Sequence, residues 1–346
     1  MPLRDEILEQ PAVLRRWLER EMERVERIAQ AIRQRDVEYI FLAARGSSDH
    51  AGVYAQYLFG SRNRLPVALA APSLFTMYPD SPRLHNALVI GISQSGQSPD
   101  IVSVMAEGRR QGAITLSITN DPDSPLAEAA ELKLHIHAGA ERAVAATKTY
   151  TAQLMALAAL SVALAGSKEE DVECLGRVPG AVEAGLTLES EAERIAKEYR
   201  SMHHCVVLGR GYNYATAQEW ALKLKELAYV FTDVYSTADF QHGPIAIIEP
   251  GFPVLAVAPQ GAVFADQINL LRRLRDEFKA KLIVISDSDE ALALAHEGLP
   301  LPSMLPEWLT PIAAIVPAQL FCYHLTRFKG YDTEQPRMLR KVTLTQ

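Results

Sequence analysis

Residues 37–58, VEYIFLAARGSSDHAGVYAQYL, decide how the chain is read: an apolar run, a turn carrying Gly46, then a stretch suited to a helix. The run is short and rich in apolar residues, as a strand buried on both faces should be. The same succession returns at residues 203–224, HHCVVLGRGYNYATAQEWALKL, with Arg45-Gly46 and Arg210-Gly211 standing 165 residues apart. The next runs, ALVIGISQSG (87–96) and FPVLAVAPQG (252–261), set Gly96 and Gly261 at the same spacing. A third pair follows, AITLSITND (113–121) and AKLIVISDS (280–288). Three matched segments in one order mark an internal duplication. Strands alternating with helices predict an α/β fold of two tandem domains, each a parallel sheet flanked by helices in a flavodoxin-like three-layer sandwich.

Around these segments the chain divides into an N-terminal helix over 1–34, a first domain over 35–165 and a linker with a helix over 166–200. A second domain over 201–330 and a tail over 331–346 complete it. The apolar stretch from Leu154 to Ala165 is too short to span a bilayer and reads as a buried helix. With 346 residues, 48% hydrophobic and 22% charged, the chain has the composition of a globular protein of more than one core. Its net charge of -7 argues against binding nucleic acid or an anionic membrane. Cys174, Cys205 and Cys322 lack metal spacing, and the charged N-terminus lacks an apolar signal region, so a cytoplasmic location is expected.

In open parallel sheets, ligands bind beyond the carboxyl ends of the strands. There the first repeat carries Ser93, Gln94, Ser95, Gly96, Gln97 and Ser98, with Ser98 a suitable N-cap and Pro99 a suitable first helical residue. A helix start beside several hydroxyls is an anion site. Gly46, Ser47 and Ser48, from the neighbouring turn, add to it. A single serine cap reads as local structure, but several hydroxyls at two strand ends point to a ligand. The second repeat, with APQGA in place of SQSGQ, shows that the fold does not require them. No G-x-G-x-x-G or P-loop lysine pattern is present.

The stretch 216–231, TAQEWALKLKELAYVF, places Trp220, Leu224, Leu227 and Phe231 on one helical face and Glu219, Lys223 and Glu226 on an adjacent one. Periodicity alone favours a solvated charge stripe; the alternative is a carboxylate beside a lysine, able to move a proton between adjacent sugar carbons. His242, before Gly243-Pro244, sits on a turn and could assist ring opening. The other histidines lack partners at metal spacing, so no metal is expected. The basic C-terminus reads either as disorder or as a tail whose lysine reacts with a carbonyl.

Taken together, ARGSSDHAG, ISQSGQSPD, ERAVAATKTYTAQL, LGRGYNYATAQEWALKLKE, HGP and QPRMLRKV resemble the sugar isomerase (SIS) domain family, and most closely the isomerase half of glucosamine-6-phosphate synthase. The resemblance spans nearly the whole chain. It implies that Ser48, Ser93, Gln94, Ser95 and Ser98 bind phosphate and that the Val144 and Ala145 backbone touches the sugar. It makes Glu226 the base between C1 and C2, Lys223 its charge-stabilising neighbour, His242 the ring-opening histidine and Lys341 a Schiff-base lysine. It also implies a homodimer in which His242 serves the partner's site, and no cofactor. The family's glutaminase domain has no counterpart in this sequence. Trp220 stands where the synthases carry glycine, Asp239-Phe240-Gln241 replaces Glu-Leu-Lys, and Arg45 replaces a small residue. These departures turn the expectation toward a deaminase converting glucosamine 6-phosphate and water to fructose 6-phosphate and ammonia. The alternatives are a ketosamine-phosphate deglycase, a synthase-like isomerase without the glutaminase domain, and a non-catalytic sugar-phosphate sensor.

Overall fold

A computed structural model describes residues 2–341. They form two compact units. One comprises Ala12–Glu141, Lys148–Gly176 and the tail from Arg340; the other comprises the N-terminus to Pro11, Arg142–Thr147 and Arg177–Leu339.

The first unit holds β1 (Tyr39–Ala43), β2 (Val67–Leu69), β3 (Ala87–Ser93), β4 (Ile114–Thr119) and β5 (Leu132–His135). They form one parallel sheet in the order β2-β1-β3-β4-β5. Every residue of the central strands β3 and β4 is buried, as near-continuous apolar runs between two helical layers require. The second unit holds β6 (His204–Gly209), β7 (Phe231–Ser236), β8 (Pro253–Val257), β9 (Lys281–Ser286) and β10 (Glu297–Pro300). Read from β7, its parallel order is β7-β6-β8-β9-β10, the same topology.

The duplication extends to register. Ala43 pairs with Gly91 in the first sheet and Leu208 with Ala256 in the second, each 165 residues on. The turn after the leading strand is also repeated, with Gly46 at φ +55° and Gly211 at φ +60°. Both need the left-handed region that glycine enters without cost.

Three features of the sequence reading change. The opening segment is two helices, Pro2–Leu8 and Gln10–Arg33. Residues 166–200 are largely helical, as Glu169–Leu186 and Glu189–Glu198. The helix bearing Trp220 ends at Ala228, capped by Tyr229 at φ +51°, so Phe231 is not on its face. Phe231 instead opens β7 and is 79% exposed.

The apolar helix Lys148–Leu164 is buried along almost its whole length, as expected. A second apolar segment, Glu307–Phe328, is long enough to cross a membrane, but its apolar window is wholly buried. Here Phe321 packs edge-on to Trp220 with ring centroids 5.9 Å apart, which makes the segment part of a core.

Candidate functional site

Because β1 and β3 are adjacent and parallel, the turn at Gly46-Ser47-Ser48 and the loop 93–98 leave the same end of the sheet side by side. Ser48 is buried in the first turn of the helix Ser47–Asn63, where Gln153 Nε2 donates to its Oγ at 3.0 Å. The buried Gln153 Oε1 has no hydrogen-bond partner among the described residues. In the loop, Ser93 Oγ accepts the Gly96 N–H at 3.1 Å and Ser95 Oγ accepts the Gln97 N–H at 3.3 Å. The Gln94 carbonyl accepts the Asn120 N–H at 3.2 Å. Ser98 takes the N-cap position of Pro99–Arg110, but its hydroxyl makes no cap hydrogen bond and is not committed to the helix. The loop therefore combines backbone N–H groups at a helix start with hydroxyls, the composition of a phosphate cradle.

The second repeat fills the matching place from within. Glu307 Oε2 accepts the Ala262 N–H at 2.8 Å, beside Gly261, where any side chain would collide with the carboxylate. A Cβ on Gly211 would lie 3.6 Å from Glu307 Oε1, whereas one on Gly46 would meet no described atom within 4 Å. A carboxylate thus lies beside both turns of the repeat that lacks hydroxyls. Sequence reading missed Glu307, which is 46 residues beyond Gly261 and follows no motif.

The titratable groups of the second unit lie on the helix Tyr214–Ala228. Lys223 Nζ stands 2.6 Å from Glu226 Oε2 and 3.2 Å from Glu219 Oε1. Glu219 and Lys223 are buried, so the solvated-stripe reading fails; only Glu226 keeps appreciable exposure. Burial alone would lower the Lys223 pKa, but Coulomb attraction and hydrogen bonds from the two carboxylates outweigh it and hold it above the ordinary lysine range. The result is a fixed ammonium beside one accessible carboxylate.

His242 is exposed just after the short helix Thr237–Phe240 that follows β7, and its backbone N–H donates to the Asp239 carbonyl at 3.0 Å. The helix bearing Glu226 runs from the carboxyl end of β6 back to the amino end of β7. Glu226 and His242 therefore lie toward opposite ends of β7, about 20 Å along a six-residue strand.

Val144 and Ala145 lie in the short segment Arg142–Thr147 of the second unit. Its amides are held by the buried Glu6, which accepts from the N–H groups of Arg142 and Ala143, the latter at 3.2 Å. Lys341 belongs to the first unit, where its Nζ meets Glu141 Oε2 at 2.6 Å. Glu141 is buried and also accepts from Thr149 N at 3.1 Å and Thr149 Oγ1 at 2.8 Å. The tail thus folds back as far as Lys341; residues 342–346 lie outside the described residues. Glu141 and Gln153 both fall in ERAVAATKTYTAQL and Glu6 in the opening helix, but their partners could not be read from spacing.

Residues 35–163 and 198–326 each match the SIS domain family model. The chain is 35% identical over 315 residues to glutamine–fructose-6-phosphate aminotransferase (isomerizing) from Aquifex aeolicus, covering 90% of this chain and 52% of the relative. It thus spans about half the length of that relative. The C-terminal domain of glucosamine-fructose-6-phosphate aminotransferase from Francisella tularensis superposes with a TM-score of 0.88 at 26% identity, covering 97% of this chain and 98% of that one. Glucosamine-6-phosphate deaminase from Thermotoga maritima shares the fold, with a TM-score of 0.80 at 21% identity and all of both chains covered.

Proposed function

The chain belongs to the SIS domain family, and from that premise we propose that it is a phosphosugar isomerase that converts glucosamine 6-phosphate and water to fructose 6-phosphate and ammonia. The observation that carries the reading is the Glu219–Lys223–Glu226 array, in which a buried cation fixes one accessible carboxylate. In this account the loop 93–98 and Ser48 hold the phosphate, and the Val144 and Ala145 backbone borders the sugar. With the ring opened, Glu226 removes the C2 proton of the aldehyde form to give an enolamine. It returns the proton to C1, which leaves an imine at C2. Lys223 offsets the charge that develops during the transfer. Lys341 adds to C2 and expels ammonia; water then releases the ketose and regenerates the amine. Glu141, already bonded to the lysine, is the group placed to take its proton.

His242 opens the ring from a second copy of the chain, so the active form is a homodimer; its exposure and its distance from Glu226 along β7 support this reading. Three free cysteines support a cytoplasmic enzyme. A second reading is favoured by the 35% identical aminotransferase: the same groups would run the isomerase step of glucosamine 6-phosphate synthesis, with ammonia supplied rather than released. Assays of ammonia and ketose formation from glucosamine 6-phosphate, and from ketosamine 6-phosphates, test the proposal. Ammonia with fructose 6-phosphate supports it; ammonia from ketosamine phosphates alone indicates a deglycase. Glucosamine 6-phosphate formed only from fructose 6-phosphate and ammonia supports the synthase-like reading, and binding without turnover indicates a sensor.

A further inference from the structure

The arginine that follows the leading strand of each repeat makes the same ion pair. Arg45 Nε bonds Asp100 Oδ2 at 2.8 Å, and Asp100 is the second residue of the helix that the hydroxyl loop opens. Arg210 pairs likewise with Asp266, the third residue of Phe264–Asp276. In the second repeat an anion already stands at that turn: the Glu307 carboxylate lies against Gly211, the residue after Arg210, and accepts the Ala262 N–H. The first repeat has the same turn and ion pair, with open space at Gly46.

The charges differ between the two. Asp100 is fully buried, while the Arg45 side chain is 51% exposed. A buried carboxylate at the mouth of a phosphate cradle repels a phosphate unless a nearby cation offsets it. Guanidinium carries donors on more than one edge, so holding Asp100 through Nε does not exhaust it.

We propose that Arg45 is the specificity-determining cation of the phosphate site: fixed by Asp100, it offsets that buried charge and presents its guanidinium to the phosphate dianion of the sugar. The inference rests on the reading of residues 93–98 as the phosphate loop. It adds a residue whose work is in binding rather than in proton transfer.

The test is calorimetric titration of the full chain with fructose 6-phosphate, alongside steady-state kinetics and thermal melts. Arg45→Ala raises Kd and KM about tenfold, the size of one lost charge-assisted contact, while kcat stays near wild type. Arg45→Lys, which keeps the charge and loses the planar fork, weakens binding less than Arg45→Ala. Arg210→Ala removes the matching but more exposed pair in the second repeat and leaves Kd unchanged. If Arg45→Ala lowers the melting midpoint but binds fructose 6-phosphate like wild type, the pair is a structural staple and the proposal is overturned. Should Arg45→Ala fail to fold, Arg45→Lys decides, and an unchanged Kd overturns it. A wild-type chain that binds no fructose 6-phosphate overturns the phosphate-loop reading and this inference together.

Discussion

Lys223 Nζ stands 2.6 Å from Glu226 Oε2, an ion pair between a buried lysine and a carboxylate that keeps some exposure. Glu226→Gln removes the proposed base and keeps the side-chain shape. We expect kcat to fall about 10²- to 10⁴-fold with KM little changed. Steady-state kinetics check this, and retention of turnover would exclude Glu226 as the base.

Removing the cation has a different signature. Lys223→Met removes the ammonium beside the buried Glu219 carboxylate and should destabilise the protein by about 3–5 kcal/mol, read by denaturant melts. Lys223→Met combined with Glu219→Gln should recover part of that loss, because the buried charge is gone from both sides. A double variant no more stable than the single one would contradict the arrangement.

The raised pKa of Lys223 also sets a pH window. A group whose folded pKa lies above its unfolded value contributes stability that is complete below the unfolded pKa, near 10.4 for lysine. That contribution is lost as pH rises through the folded pKa. Melts should therefore show no loss from this group between about pH 6 and 9 and a decline only in strong alkali. The pH–rate profile should likewise have no limb from Lys223 in the neutral range.

The cysteines should separate by burial. Burial pushes the Cys205 thiol up to about 12 and Cys322 well above the ordinary thiol range. Cys174 is only partly buried. At pH 8 a thiol reagent should label Cys174 in the native protein and spare the other two until the protein is unfolded. Labelling of native Cys205 or Cys322, read by mass spectrometry, would contradict their burial.

The account of Lys341 is tested by trapping. Borohydride added with fructose 6-phosphate should reduce a Schiff base and leave a hexitol phosphate on the peptide containing Lys341. Lys341→Arg should abolish the adduct, and Glu141→Gln should slow its formation because the lysine loses the carboxylate that holds it. An adduct on another lysine would reassign the role.

Much of the fold was legible because duplication is a local pattern written twice. The spacing of Arg45-Gly46 and Arg210-Gly211 foretold two sheets of equal topology, and the structure repeats even their register. The hydroxyl loop was legible because its three serines, Ser93, Ser95 and Ser98, fall within one six-residue stretch. Long-range partners were not: Glu6 reaches an amide 136 residues away, Lys341 pairs with a carboxylate 200 residues away, and Glu307 crosses 45 residues to Ala262. Periodicity also overran the helix at Tyr229, because a left-handed cap at a non-glycine residue leaves no sequence mark, and so Phe231 was placed on the wrong element.

The central claim is that Glu226 moves a proton between C2 and C1 of a sugar phosphate. The most direct measurement is NMR of the turnover, in ordinary water, of glucosamine 6-phosphate carrying deuterium at C2. The account predicts fructose 6-phosphate carrying deuterium at C1, with ammonia formed alongside, and neither from Glu226→Gln. Deuterium incorporation that persists undiminished in Glu226→Gln, or ketose formed by wild type without any transfer to C1, would contradict it.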